Sequence, residues 1–176
     1  TTERIEVLDY EPKSWGCYGR GLALKLVASS VPHYAGRYSP ENAIALVPGI
    51  LTGCKVASCC RVTIASKRGK GEGLQVCNVS GNLPQKMASL SIAGLLICGK
   101  STEKNAVLHI GEDSAEIIHM PELERKDTGT IVERLKKRFG ADAAILGVGK
   151  AADMQLSLST FFCTYPDGDP QYHCPR

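Results

Sequence analysis

The period of apolar and polar positions changes several times along the chain, and each change predicts an element. Ile5 to Tyr10 alternates and reads as a strand. From Gly19 to Val31, Leu24, Val27, Ala28 and Val31 recur at helical spacing, with Pro32 as the stop. His33 to Asn42 is turn-rich; Ala43 to Val47 then reads as a strand closed by Pro48-Gly49. Arg61 to Ser66 and Leu74 to Val79 are strands joined across a glycine-rich loop, Gly69 to Gly73. Asn82 predicts the cap of a short helix that tolerates Pro84 in its first turn and buries Leu83, Met87 and Leu90. Leu95 to Cys98, Ala106 to Ile110 and Ala115 to His119 read as an antiparallel meander. The clearest helix starts near Asp127, carries the capping pattern Thr130-x-x-Glu133, turns Ile131, Val132, Leu135 and Phe139 to one side, and ends at Gly140. Ala143 to Gly147 and Leu156 to Thr164 complete the strands.

The fold class this predicts is α+β, antiparallel sheets with a few helices. A helix followed by two strands occurs near residue 20 and again near residue 128, so the domain spanning 1–176 reads as an internal duplication of about 1–100 and 101–176.

Composition narrows the function classes. A length of 176 residues with 43% hydrophobic content can build a sizeable core. The formal charge of +3 is spread out and aromatic residues are only 6%, which argues against a base-stacking, nucleic-acid-binding surface. No apolar run reaches the roughly 18 to 20 residues a bilayer span needs, and the polar opening Thr1-Thr2-Glu3-Arg4 is unlike a secretory leader. The chain therefore reads as cytoplasmic, with no membrane or nucleic-acid partner. The eight cysteines are then expected as thiols, and Cys77 and Cys98, inside apolar strands, as buried ones. None forms a Cys-x-x-Cys pair. His173-Cys174 with Cys163 is the best metal candidate.

Two glycine motifs lead nowhere catalytic. Gly147-Val148-Gly149-Lys150 lacks the earlier glycine and the following Ser or Thr of a phosphate loop. Gly69-x-Gly71-x-Gly73, with Lys67, Arg68 and Lys70, joins two strands and offers no helix amino terminus to an anion.

More telling is an ordered series: Gly19-Arg20-Gly21-Leu22-Ala23, Ser39-Pro40-Glu41-Asn42, Leu51-Thr52-Gly53, Arg61 through Lys67, Asn78 through Gly81, and Ala93-Gly94 through Gly99-Lys100. In order and spacing, over nearly the whole chain, the series resembles the amino-terminal domain of tungsten-containing aldehyde ferredoxin oxidoreductases. That resemblance implies an α+β domain of two pseudo-symmetric halves forming the base for a tungstopterin, the bis-molybdopterin tungsten cofactor. It implies cofactor-binding roles for Arg61, Asn78, Ser80 and Gly81, and leaves Arg176 as the stand-in for an arginine of the family's second pterin loop. Ser80 stands where the family has a glycine, and Cys59-Cys60 where it has small residues. It assigns no catalytic residue and no metal ligand to this chain, because the iron-sulfur cluster and the acid-base groups belong to further domains.

Three functions follow. The first is a tungstopterin-binding subunit or fragment of an oxidoreductase, inactive alone and completed by further domains or by a separate chain carrying the iron-sulfur cluster. The second is a scaffold that keeps the fold without the cofactor, and the third a thiol-based metal or iron-sulfur carrier. A homo-oligomer is compatible with each.

Overall fold

The computed structural model describes residues 3–11, 13, 16–68, 73–165 and 170–172. These form two compact units. The first comprises residues 9–80 and 84–100, the second 3–8, 81–83 and 101–172.

In the first unit, helix α1 (Gly19–Ser30) precedes a four-stranded antiparallel sheet made of β1 (Ala43–Pro48), β2 (Val62–Lys67), β3 (Leu74–Val79) and β4 (Leu95–Cys98) in the order β3-β2-β1-β4. The helix buries Leu22, Ala23 and Val27 against Ala45, Val47 and Ala65. The sheet residues there are small, so the helix backbone lies close to the strands, and each fully buried Leu or Val contributes about 1.5 to 3 kcal/mol. The buried stripe is not the one the spacing predicted: Leu24 is half-buried and Ala28 exposed. Apolar residues surround this helix, and contact with the sheet selects the stripe. Lys67 donates its ammonium to the carbonyls of Pro32 and His33, beyond the carboxyl end of α1, and thereby fastens that end to the far end of β2.

Helix α2 (Leu83–Ser89) buries Pro84 and Met87. Leu83 and Leu90 are only partly buried, and the Asn82 carboxamide oxygen accepts from the Thr164 hydroxyl.

In the second unit, β5 (Ala106–Ile110) and β6 (Ala115–His119) form a hairpin of their own. The predicted three-strand meander is therefore split, because β4 pairs with β1. A 3-10 turn (Pro121–Leu123) leads to α3 (Thr128–Phe139), and β7 (Leu146–Val148), a single turn α4 (Lys150–Asp153), β8 (Phe161–Thr164) and β9 (Pro170–Tyr172) follow, with β7-β8-β9 as an antiparallel sheet. The core joins Met120, Leu123, Ile131, Val132, Leu135, Ile145 and Phe162. Asp127 caps α3 by accepting from the amide and hydroxyl of Thr130, in place of a Thr130–Glu133 box.

Three strand expectations are corrected. Ile5 to Tyr10 forms no strand, and Val7 and Leu8 are 90% and 80% exposed. Leu156 to Thr164 is strand only in its last four residues, where Phe162, Cys163 and Thr164 are buried. Cys98 is exposed, as are Leu96 and Ile97, because β4 is an edge strand.

Candidate functional site

The β2–β3 hairpin sets the candidate residues. Its register pairs Thr63 with Asn78 and Val62 with Val79, so Arg61 precedes the pairing by one residue and stands two before the partner of Asn78. Side chains two apart on a strand share a face. The Thr63 hydroxyl donates to Asn78 Oδ1 at 2.9 Å, which fixes the carboxamide and leaves its NH2 group to face other acceptors. Arg61 is exposed, and its guanidinium has no hydrogen-bond or ion-pair partner among the described residues.

The main chain brings more donors to this end of the first unit. Gly49 N donates to Arg61 O at 2.9 Å, and a Cβ on Gly19 would lie 4.0 Å from Gly49 Cα. The amino end of α1 therefore stacks on the corner that holds Arg61, whereas its carboxyl end lies by Lys67. Tyr18, at the cap position, supplies no side-chain acceptor, and its carbonyl already takes the Gly21 amide at 3.0 Å, so the donors this end can offer are the amides of Gly19 and Arg20. Helix amino terminus, guanidinium and carboxamide together suit an anion bearing further acceptors, such as a phosphorylated heterocycle. A cavity of about 270 Å³ lies beside the amino end of α1, lined among others by Tyr18, Gly19, Gly49, Thr52 and Ser91; neither Arg61 nor Asn78 lines it.

Ser80 is partly buried just after β3. Gly81 has a packing reason of its own: a Cβ there would meet Thr164 O at 2.5 Å and Cys163 Sγ at 2.9 Å, at a φ of 115°. Arg176, with His173 and Cys174, lies outside the described residues.

Cysteine environments differ. Burial pushes the Cys77 and Cys163 thiols up from their ordinary value. Cys163 Sγ faces Thr164 O at 3.6 Å. Among the described residues, no group of three or more His, Cys, Asp and Glu side chains is arranged to hold a metal ion. No described helix is long and apolar enough to cross a membrane.

One cluster in the second unit escaped the sequence reading. His119 Nε2 lies 2.8 Å from Glu3 Oε2, and His119 Nδ1 lies 3.6 Å from Glu103 Oε2. The Ser101 hydroxyl, at 2.6 Å from Glu3 Oε1, is the first cause holding the Glu3 carboxyl below its ordinary value, and His119 adds to it. No local spacing could signal a pair 116 positions apart.

Known proteins give this geometry a context. Residues 1–174 match the family model described as "Aldehyde ferredoxin oxidoreductase, N-terminal domain". A tungsten-containing aldehyde ferredoxin oxidoreductase of Thermococcus kodakarensis is 25% identical over 172 residues, which is 96% of this chain and 28% of that protein. Among solved structures, the active-site complex BamBC of benzoyl coenzyme A reductase, in complex with 1,5-dienoyl-CoA, superposes with a TM-score of 0.83 at 22% identity, over 94% of this chain and 26% of that one. The structural likeness shows the fold: α+β with antiparallel sheets and few helices. The chain spans little more than a quarter of the length of either protein. With the family model covering nearly all of it, the chain belongs to the aldehyde ferredoxin oxidoreductase family, as the amino-terminal domain.

Proposed function

We propose that this chain is the cofactor-holding portion of an oxidoreductase of the aldehyde ferredoxin oxidoreductase type, and that Arg61 and Asn78 contact a tungstopterin. What supports the reading is that the β2–β3 register sets Arg61, whose guanidinium has no partner among the described residues, two residues before the strand partner of Asn78, whose carboxamide oxygen is already taken, and that the amino end of α1, without a side-chain cap, abuts the backbone corner of Gly49 and Arg61. Phosphate and pterin are rich in acceptors, and these three groups are donors. Arg61 would bind and orient the anionic part through paired N–H bonds, and the Asn78 NH2 group would take a carbonyl or ring nitrogen. The redox chemistry would reside in the bound metal. The chain itself would hold and orient it and supply no acid-base group.

Anoxic purification followed by tungsten, molybdenum and pterin analysis tests the reading. Metal and pterin are expected together, and Arg61→Ala should lower their retention about tenfold or more, the loss of a charge-assisted hydrogen bond being worth about 1.5 to 3 kcal/mol. Equal retention in Arg61→Ala and the parent protein would overturn the assignment. The chain alone should not oxidise aldehydes with a viologen acceptor, because the cluster and acid-base groups would come from further domains or a partner chain.

A second reading, a scaffold without cofactor, is favoured by Cys59-Cys60 next to the site and by the packing role of Gly81. Absence of both metal and pterin from anoxically purified protein would select it.

A further inference from the structure

Residues 50–60 carry three thiols, Cys54, Cys59 and Cys60, that the cofactor reading leaves unused. The loop folds around one of them: Cys59 Sγ lies 2.9 Å from Val56 O, 3.1 Å from Leu51 O and 3.8 Å from Cys54 O. A thiol has one hydrogen and satisfies one acceptor at a time, so this sulfur organises the loop only while reduced. Burial first, then hydrogen bonding with the Cys60 side chain and its charge, pushes the Cys59 thiol up. Cys60 has a different setting. Its sulfur accepts from Gln85 Nε2 at 3.6 Å, and it lines a cavity of about 810 Å³. The wall of that cavity also includes Cys54, Lys55 and Gln85, and it contains one cation and no carboxylate.

We propose that Cys59 and Cys60 form a reversible dithiol–disulfide pair, oxidised through this cavity by a low-molecular-weight disulfide that bears carboxylates. The cavity admits the reagent to Cys60, and Lys55 favours an anionic one. The Cys60 thiolate attacks one sulfur of RSSR, forming a Cys60–S–S–R bond and releasing RS⁻, which takes up a proton. Cys59 then loses its proton and attacks the Cys60 sulfur, breaking the S–S bond between Cys60 and the RS group and releasing RS⁻, which takes up that proton as the second RSH. Two protein thiols and one RSSR thus become one protein disulfide and two RSH.

Consecutive Cα atoms are about 3.8 Å apart, below the roughly 4.4 to 6.8 Å usual for a disulfide. The bridge is therefore strained and easily reduced, as a reversible mark requires. Oxidation also draws Cys59 Sγ out of its ring of carbonyls. Arg61 N donates to Cys59 O at 3.2 Å, so the mark is felt at the next residue. That consequence for Arg61 rests on the proposed cofactor site, whereas the thiol chemistry does not.

The experiment treats reduced protein, free of added cofactor, with glutathione disulfide, alkylates it and maps the cysteines by mass spectrometry. A peptide carrying Cys59 and Cys60 that has lost two hydrogens, and regains them with dithiothreitol, is expected. Cys59→Ser should trap glutathione on Cys60, and Lys55→Ala should slow the reaction with glutathione disulfide but not with uncharged hydroxyethyl disulfide. A stable glutathione adduct on Cys60 of the unaltered protein, a bridge between other cysteines, or alkylation of both residues as fast as exposed Cys98 would overturn the proposal. Because the parent protein alone decides this, a variant that fails to fold does not shield it, and a failure here leaves metal and pterin retention unaffected.

Discussion

Helices α1 and α3 are both 12 residues long, yet their sequences specify them in different ways. α3 carries its own instructions. Asp127 caps it, Lys136, Lys137 and Arg138 occupy its last turn where the dipole favours cations, and apolar residues lie along one side only. α1 has no side-chain cap, no acidic residue in its first turn and no basic residue in its last. Apolar side chains surround it, so its orientation is set by the small residues Ala45, Val47 and Ala65 beneath it. Local signals thus define the helix in the second unit, and tertiary contact defines the one in the first. The uncapped helix is the one whose amino end reaches the candidate site. A cap that satisfied those amides would compete with an anion for them.

The largest test of this contrast is Phe162→Ala. Phe162 is 1% exposed and belongs to the second core, so its truncation should cost about 3 to 5 kcal/mol. If the units are separately cooperative, hydrogen exchange will show β7, β8 and α3 losing protection while α1, β1 and β2 retain it; equal loss throughout would make the two units one.

Gly81→Ala should come next, at about 3 kcal/mol, since its Cβ would overlap Thr164 O and its φ of 115° disfavours any side chain. Urea unfolding measures this. A loss below about 0.5 kcal/mol would return Gly81 to a purely cofactor-related role.

Val27→Ala should cost about 2 kcal/mol by emptying the contact that orients α1. Ala28→Leu, on the exposed side of the same helix, should leave the urea midpoint nearly unchanged. Equal losses from the two would restore the stripe expected from spacing alone.

The smallest effect belongs to Asp127. The Thr130 hydroxyl, followed by its amide, holds the Asp127 carboxyl below its ordinary value. A carboxyl depressed in the folded state stabilises above its unfolded value, near 4, and that stabilisation is lost as pH falls through the folded value. Asp127→Asn should therefore remove part of the acid dependence of stability while keeping α3. Unchanged melting curves between pH 5 and about pH 2 would show that the cap carries none of it.

Legibility followed the range of the determining contacts. β3 appears with its expected bounds, and β2 is displaced by a single residue, because a hairpin across a short loop is a local event. The same register brings Arg61 near Asn78. Other features required partners distant in sequence. β4 has the composition of a core strand, yet at the sheet edge it leaves Leu96 and Ile97 36% and 45% exposed. Ile5 to Tyr10 alternates like a strand but finds no neighbour to pair with among the described residues. The packing role of Gly81 could not be read locally, because the strand it contacts lies about 80 residues on.

The order of side chains by itself determined the α+β class, the capped helix α3, the β2–β3 hairpin and the family, since each rests on periodicity, capping or motif order within a short stretch of chain. Tertiary structure decided which side of α1 is buried, which strand became an edge, why position 81 must be glycine and how Glu3 reaches His119. Those outcomes depend on which distant surfaces meet. Burial energy rewards any apolar contact almost equally, so the choice is made by the shape of the assembled sheet.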